Sequence, residues 1–218
     1  MFANIFSDPF SVLLFVISLL FALTVHEAAH AWAANRLGDP TAKFSGRLTL
    51  NPLAHLDPIG TIMLFFFGFG WGKPVPVDEF NLNKPRRDNA LIALAGPAVN
   101  LVVALFIGLF RLPVYFLGLN SLVISGLMLS LIRLNIILGV FNLLPIYPLD
   151  GSKILIGVLP EKTAQAVDLV LKRYGVFLLI FALLPVFFGR SLVSLVLVPA
   201  VSFFEFVFIS LPSATGIL

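Results

Sequence analysis

Residues 9–34 read PFSVLLFVISLLFALTVHEAAHAWAA, an apolar run long enough to cross a bilayer with some tilt. His26, Glu27 and His30 fall inside it. Ionisable groups so crowded within a membrane span cost on the order of several kcal/mol, and only function or tight pairing retains them. At about 100° per residue, two histidines four apart stand about 40° apart on one helix face, where both can reach a single ion. Glu27, next to the first histidine, is placed to take a proton from water and pass it to a leaving amine. A divalent ion lowers the pKa of water from near 16 towards ~7, which makes hydroxide available at neutral pH. The blander alternative is a pair of helix-contact histidines in a loose five-residue pattern; the membrane setting weighs against it.

The rest of the chain fits that setting. Of 218 residues 59% are hydrophobic and 11% charged, and the mean hydropathy is +1.04. Soluble domains are about half apolar and a quarter charged, so an ordinary soluble enzyme and a disordered chain are both excluded. The expectation is an all-α polytopic membrane protein with about five transmembrane helices, at 9–34, 90–110, 121–147, 174–188 and 191–211. The last two read as a helical hairpin broken at Gly189-Arg190. Residues 59–70 are apolar but too short for a full crossing, and Gly60, Gly68 and Gly70 favour a re-entrant or interfacial piece. Short extended elements are expected around Lys43, Phe44, Gly46, Arg47, Thr49 and Leu50. No linker or repeat divides the chain, which reads as a single domain over 1–218 with a catalytic core at about 9–155. Met1 to Phe10 carries no Lys or Arg, so no cleaved leader is expected.

The net charge of +3 is spread between apolar segments, which is a pattern of membrane anchoring and no signature of nucleic-acid binding. Basic segments at 35–58, 71–89 and 152–173 share the cytoplasmic side if 59–70 returns to the side it left. The end of the 121–147 span then lies near the depth of His30. Cysteine is absent, so a transition metal must be held by histidine and carboxylate.

Two histidines leave a catalytic zinc one protein ligand short. Asp150 and His55 are the candidates. Asp150 follows a proline-rich unwound stretch at matching depth and is expected to be fixed by a tight turn at Gly151; its alternative role is an N-cap on a helix from Ser152. His55, between Pro52 and Asp57, has the alternative of bonding backbone groups in its loop.

His26-Glu-Ala-Ala-His30 in one span, Ala95-Gly-Pro-Ala-Val-Asn100 in the next, and Asn142-Leu-Leu-Pro-Ile-Tyr-Pro-Leu-Asp-Gly151 together resemble the site-2 protease family of intramembrane metalloproteases. The resemblance covers about residues 12–155. Asn51-Pro-Leu-Ala-His-Leu-Asp-Pro-Ile-Gly60 and Gly72-Lys-Pro-Val-Pro-Val77 are similar to the compact bacterial branch without a PDZ insertion. The resemblance implies His26, His30 and Asp150 as ligands of one zinc ion and Glu27 as general base. It implies that Asn142 holds substrate backbone or the developing oxyanion, against the alternative of an interhelical hydrogen bond. Gly72, Pro74 and Val75 are candidates for pairing with an unwound substrate strand, and Asn100 for substrate contact or helix packing.

The function expected is hydrolysis of peptide bonds in or near the transmembrane segments of other proteins. The expected setting is a bacterial inner membrane with the site towards the cytoplasm, and the oligomeric state is left open. The competing classes are a membrane metal-binding or transport protein and an inactive scaffold. Neither needs a Glu directly beside the first histidine.

Overall fold

Asp8 accepts a hydrogen bond from the Ser11 amide at 3.1 Å and Pro9 follows, so the chain turns at once into its first helix. The computed structural model describes residues 8–67, 70–119, 121–185 and 189–210. Its α-helices are α1 (Pro9–Arg36), α2 (Thr41–Phe44), α3 (Pro58–Phe67), α4 (Pro85–Phe116), α5 (Leu122–Asn142), α6 (Asp150–Val158), α7 (Glu161–Leu183) and α8 (Leu192–Glu205). The all-α polytopic architecture is as expected.

Among the described residues four helical stretches are long and apolar enough to cross a membrane: Pro9–Arg36, Pro85–Phe116, Leu122–Asn142 and Leu192–Ile209. The fifth expected span is shorter than a crossing within α7. That helix starts at Glu161, and its first half carries Lys162, Gln165, Asp168, Lys172 and Arg173, so only the part from Tyr174 onward is apolar. The expected basic loop at 152–173 is therefore mostly helix, in α6 and α7. Residues 186–188, 68–69 and 120, and those after 210, belong to the expected spans and connections but lie outside the described residues.

The other boundaries shift in the same sense. The second span does not stop at Arg111 but runs to Phe116, and the third ends at Asn142, before the irregular stretch 143–149. The extended structure expected at 43–50 is also corrected. Thr41–Phe44 is a helical turn closed by the Gly46 and Arg47 amides on Lys43 O and Ala42 O. The one bridge of β type among the described residues joins Leu56 to Gly72.

The return of 59–70 is visible in its glycines. A Cβ on Gly60 would lie 2.1 Å from Trp71 O, and one on Gly70 would lie 2.2 Å from Gly60 O and 2.7 Å from Leu64 Cβ. The chain thus comes back along the helix it has just left, and only residues without a side chain permit that approach. At ten residues α3 is about 15 Å long, half a bilayer core.

α4 is the central helix, packed against α1, α5 and α6. α1 meets it with small buried residues, Ala22, Ala29 and Ala33, on the same stripe as His26 and His30, while Leu13, Ile17 and Phe21 face outward. Small residues let membrane helices approach closely where no hydrophobic force separates core from lipid. Gly139 of α5 and Gly157 of α6 serve the same purpose against Pro97 O and Ala90 Cβ. The apolar core joins Ala104 of α4, Ile132, Ile136 and Val140 of α5, and Phe208 beyond α8. Arg133, a charge within the third span, pairs with Glu205 of α8 at 2.9 Å.

Candidate metal centre

The buried stripe of α1 carries both histidines to α4. His30 Nδ1–H donates to Ile92 O at 2.7 Å, and His26 Nδ1–H donates to Asn100 Oδ1 at 2.6 Å. Each proton sits on Nδ1, so each Nε2 presents a lone pair. Those two Nε2 atoms are 3.0 Å apart, and Asp150 Oδ2 lies 3.1 Å from the first and 3.2 Å from the second.

Three lone-pair atoms in a near-equilateral triangle repel one another unless a cation lies among them. Their separation is close to the edge of a tetrahedron, about 3.3 Å for zinc ligands at about 2.0–2.1 Å. The donor set of two imidazoles and one carboxylate is that of a hydrolytic zinc site with a fourth position free. His26, His30 and Asp150 are the group among the described residues whose ligand atoms could hold a metal ion. The residues therefore fit zinc by chemistry, spacing and tautomer.

Asp150 reaches the histidines because α5 ends at Asn142 and the chain turns through Leu143–Leu149 before α6 begins. Leu149 is the N-cap, and Asp150, the first helical residue, points its carboxylate at the imidazoles. The capping alternative is thus not realised. Gly151 is helical and does not form a tight turn; its role is clearance, since a Cβ there would lie 2.3 Å from both Leu143 O and Leu144 O.

Glu27 is half-buried beside His26 and has no hydrogen-bond partner among the described residues, which leaves its carboxylate free for proton transfer. Among the described residues Asn142 forms no interhelical bond; its Nδ2 donates to Leu138 O of its own helix at 3.0 Å. Asn100 is completely buried, with Oδ1 on His26 and Nδ2 donating to Ala22 O and Asn135 Oδ1 at 3.0 and 2.8 Å. It is buried against His26, where its polar atoms meet α1 and α5.

His55 is fully buried away from the cluster. Its Nε2–H donates to Thr49 O at 2.9 Å, and its Nδ1 faces Arg47 Nη2 at 3.5 Å. Arg47 in turn donates to Pro74 O at 3.1 Å and to Lys73 O, and the Lys73 amide donates to His55 O at 2.9 Å. His55 therefore helps hold the extended segment that contains Gly72, Pro74 and Val75.

The sequence sets Gly96 in the Ala95–Asn100 stretch without showing that it lies against the two histidines. A Cβ there would lie 2.5 Å from His30 Nε2 and 2.7 Å from His26 Cε1. Asn135 interrupts the apolar span 121–147. A buried amide within a span was the available signal.

Helices that cross a membrane around a buried two-histidine, one-carboxylate centre define a class, the polytopic membrane metalloenzymes. The sequence matches peptidase family M50 over residues 14–118 and 113–186, and the chain belongs to that family. YwhC of Bacillus subtilis, named as a zinc metalloprotease, is 44% identical over 178 residues, covering 76% of this chain and 78% of its own. Rip2 of Mycobacterium tuberculosis, named likewise, is 34% identical over 177 residues, 78% of this chain and 66% of its own. MJ0611 of Methanocaldococcus jannaschii, also named so, is 33% identical over 160 residues, 70% of this chain and 76% of its own. No solved structure gives a significant match.

Proposed function

We propose that His26, His30 and Asp150 hold the zinc ion of this protease and that Glu27 is its general base. The chain is an intramembrane zinc metalloprotease. The observation that carries the residue assignment is the convergence of three ligand atoms within 3.2 Å. Family and named relatives favour hydrolysis over the ion-transport alternative.

Bound zinc supplies Lewis acidity, which activates water at neutral pH and polarises a peptide carbonyl. Glu27 accepts the water's proton and returns it to the leaving amine. Asn142, at the end of α5 and eight residues before Asp150, steadies the substrate backbone or the oxyanion with its amide. The apolar walls of α1 and α4 keep bulk water from the centre and strengthen each of these interactions.

The substrate is a transmembrane segment of another protein, locally unwound, since a helix hides its carbonyls from attack. The extended segment 72–77, pinned by Arg47, is suited to pair with such a strand. The site opens towards the cytoplasmic face of a bacterial inner membrane. His30 is six residues, about 9 Å, from the end of α1. Arg36, Lys43, Lys84, Arg86 and Arg87 cluster beyond it, as the positive-inside pattern requires.

The test is zinc per chain, measured on detergent-purified protein alongside cleavage of a single-span reporter. Near-stoichiometric zinc that is lost in Asp150→Ala together with cleavage supports the assignment. Zinc indifferent to Asp150→Ala contradicts it.

A further inference from the structure

His30 and His26 are oriented by different means. Behind His30 stands a backbone carbonyl, Ile92 O, which can only accept. Behind His26 stands a side-chain amide, and an amide can present either end. Asn100 turned round would offer Nδ2 to His26 Nδ1, force the imidazole proton onto Nε2, and remove the lone pair that a metal needs.

The surroundings of Asn100 decide its orientation. Asn135 on α5 is completely buried and donates through Nδ2 to Leu131 O at 2.8 Å, an acceptor only. That bond turns Asn135 Oδ1 towards Asn100, whose Nδ2 donates to it at 2.8 Å. The second Nδ2 hydrogen goes to Ala22 O at 3.0 Å. With both hydrogens committed, Asn100 Oδ1 is left to accept from His26 Nδ1 at 2.6 Å. Each bond fixes the direction of the next, and the chain of donors and acceptors ends in a bare Nε2.

We propose that Asn135 is a positioning residue of the metal centre: acting through Asn100, it sets the tautomer and ring orientation of His26 from a helix that supplies no ligand. α5 then governs two ligands. Asn135 acts on His26, and the Leu143 and Leu144 carbonyls just past its end seat Gly151 and thereby Asp150. The proposal rests on His26 being a ligand, as assigned above.

The experiment uses the full chain in detergent, with zinc affinity read by chelator competition and ligand geometry read from the visible spectrum of the cobalt-loaded protein. Asn135→Leu should weaken zinc binding by about tenfold and alter the cobalt bands, within the range seen when outer partners of metal ligands are removed. Asn135→Asp, which when protonated can donate its O–H to Leu131 O and keep its other oxygen to accept from Asn100, should recover most of the affinity. Ile132→Ala, a packing loss one turn earlier on α5 that leaves the relay untouched, should change neither readout. Wild-type affinity and spectrum in Asn135→Leu overturn the proposal, as does an equal change in Ile132→Ala.

The 15N spectra of the wild-type histidines test it without any substitution. Protonated Nδ1 and zinc-shifted Nε2 on His26 support it, and zinc on Nδ1 overturns it. Wild-type protein that takes no zinc contradicts the ligand assignment, whereas zinc bound but indifferent to Asn135 contradicts this proposal alone.

Discussion

His26 Nε2 and His30 Nε2 face each other at 3.0 Å, while Asn100 Oδ1 and Ile92 O engage the other ring nitrogens. Without a cation this contact, closed by Asp150, is repulsive, so the metal and the fold should be thermodynamically linked. At free zinc 100-fold above its Kd the bound form gains about 2.7 kcal/mol. Stripping zinc with a chelator should lower the thermal midpoint in detergent, and zinc should restore it. An unchanged midpoint would show that the three groups do not share an ion.

Gly96 bears on the same contact from α4. Gly96→Ala places a methyl group 2.5 Å from His30 Nε2, so the imidazoles must move. Zinc affinity should fall by about 10–100-fold, the range expected when ligand orientation is disturbed. Gly46→Ala is the control: its φ of +68° makes the change strained, but nothing lies within 4 Å, and zinc affinity should hold.

His55→Ala should separate stability from metal binding. The substitution leaves Arg47 and Thr49 O without their buried partner, a loss of about 1–3 kcal/mol. The melting midpoint should drop while zinc per chain stays at the wild-type value. Loss of zinc in this variant would return His55 to the ligand set.

The loop end of the molecule should be acid-sensitive through Asp39. This buried carboxylate accepts from the Thr41 amide and hydroxyl, the Asp78 amide and Asn81 Nδ2. Burial alone would raise its pKa, but these donors outweigh burial and lower it. A depressed carboxylate contributes its full stability above the unfolded value, about pH 4, and loses it as pH falls towards the folded value. Thermal midpoints measured from pH 7 down to 3 should fall at the acid end, and Asp39→Asn, less stable at neutral pH, should show a shallower fall. Parallel curves for the two proteins would remove Asp39 as the cause.

The three residues that meet here were each legible in the sequence. Histidines four apart on an apolar helix and a carboxylate beyond a proline-rich break are local patterns, and local patterns survive into the fold. That α3 is too short to cross was readable for the same reason, from the length of the apolar run. α7 was not, because the polar first half of one continuous helix looks like a loop when hydropathy alone is followed. Nor were the partners of Asn100 and Gly96. Which helices meet is decided by packing across long stretches of chain, and Asn135 reads as an isolated amide until α5 is seen against α4. The extended stretch expected near Lys43 was overridden by Asp39, whose bonds to Thr41 favour a helical turn.

The central claim is that a metal held by His26, His30 and Asp150 works with Glu27 to cut a peptide bond. Glu27→Gln tests it most directly, since the amide keeps the shape of the side chain but cannot take the water's proton. Zinc content and cleavage of a single-span reporter should be measured on the same purified sample. Near one zinc per chain with cleavage abolished is the predicted result; zinc retained with cleavage at the wild-type rate would contradict the account.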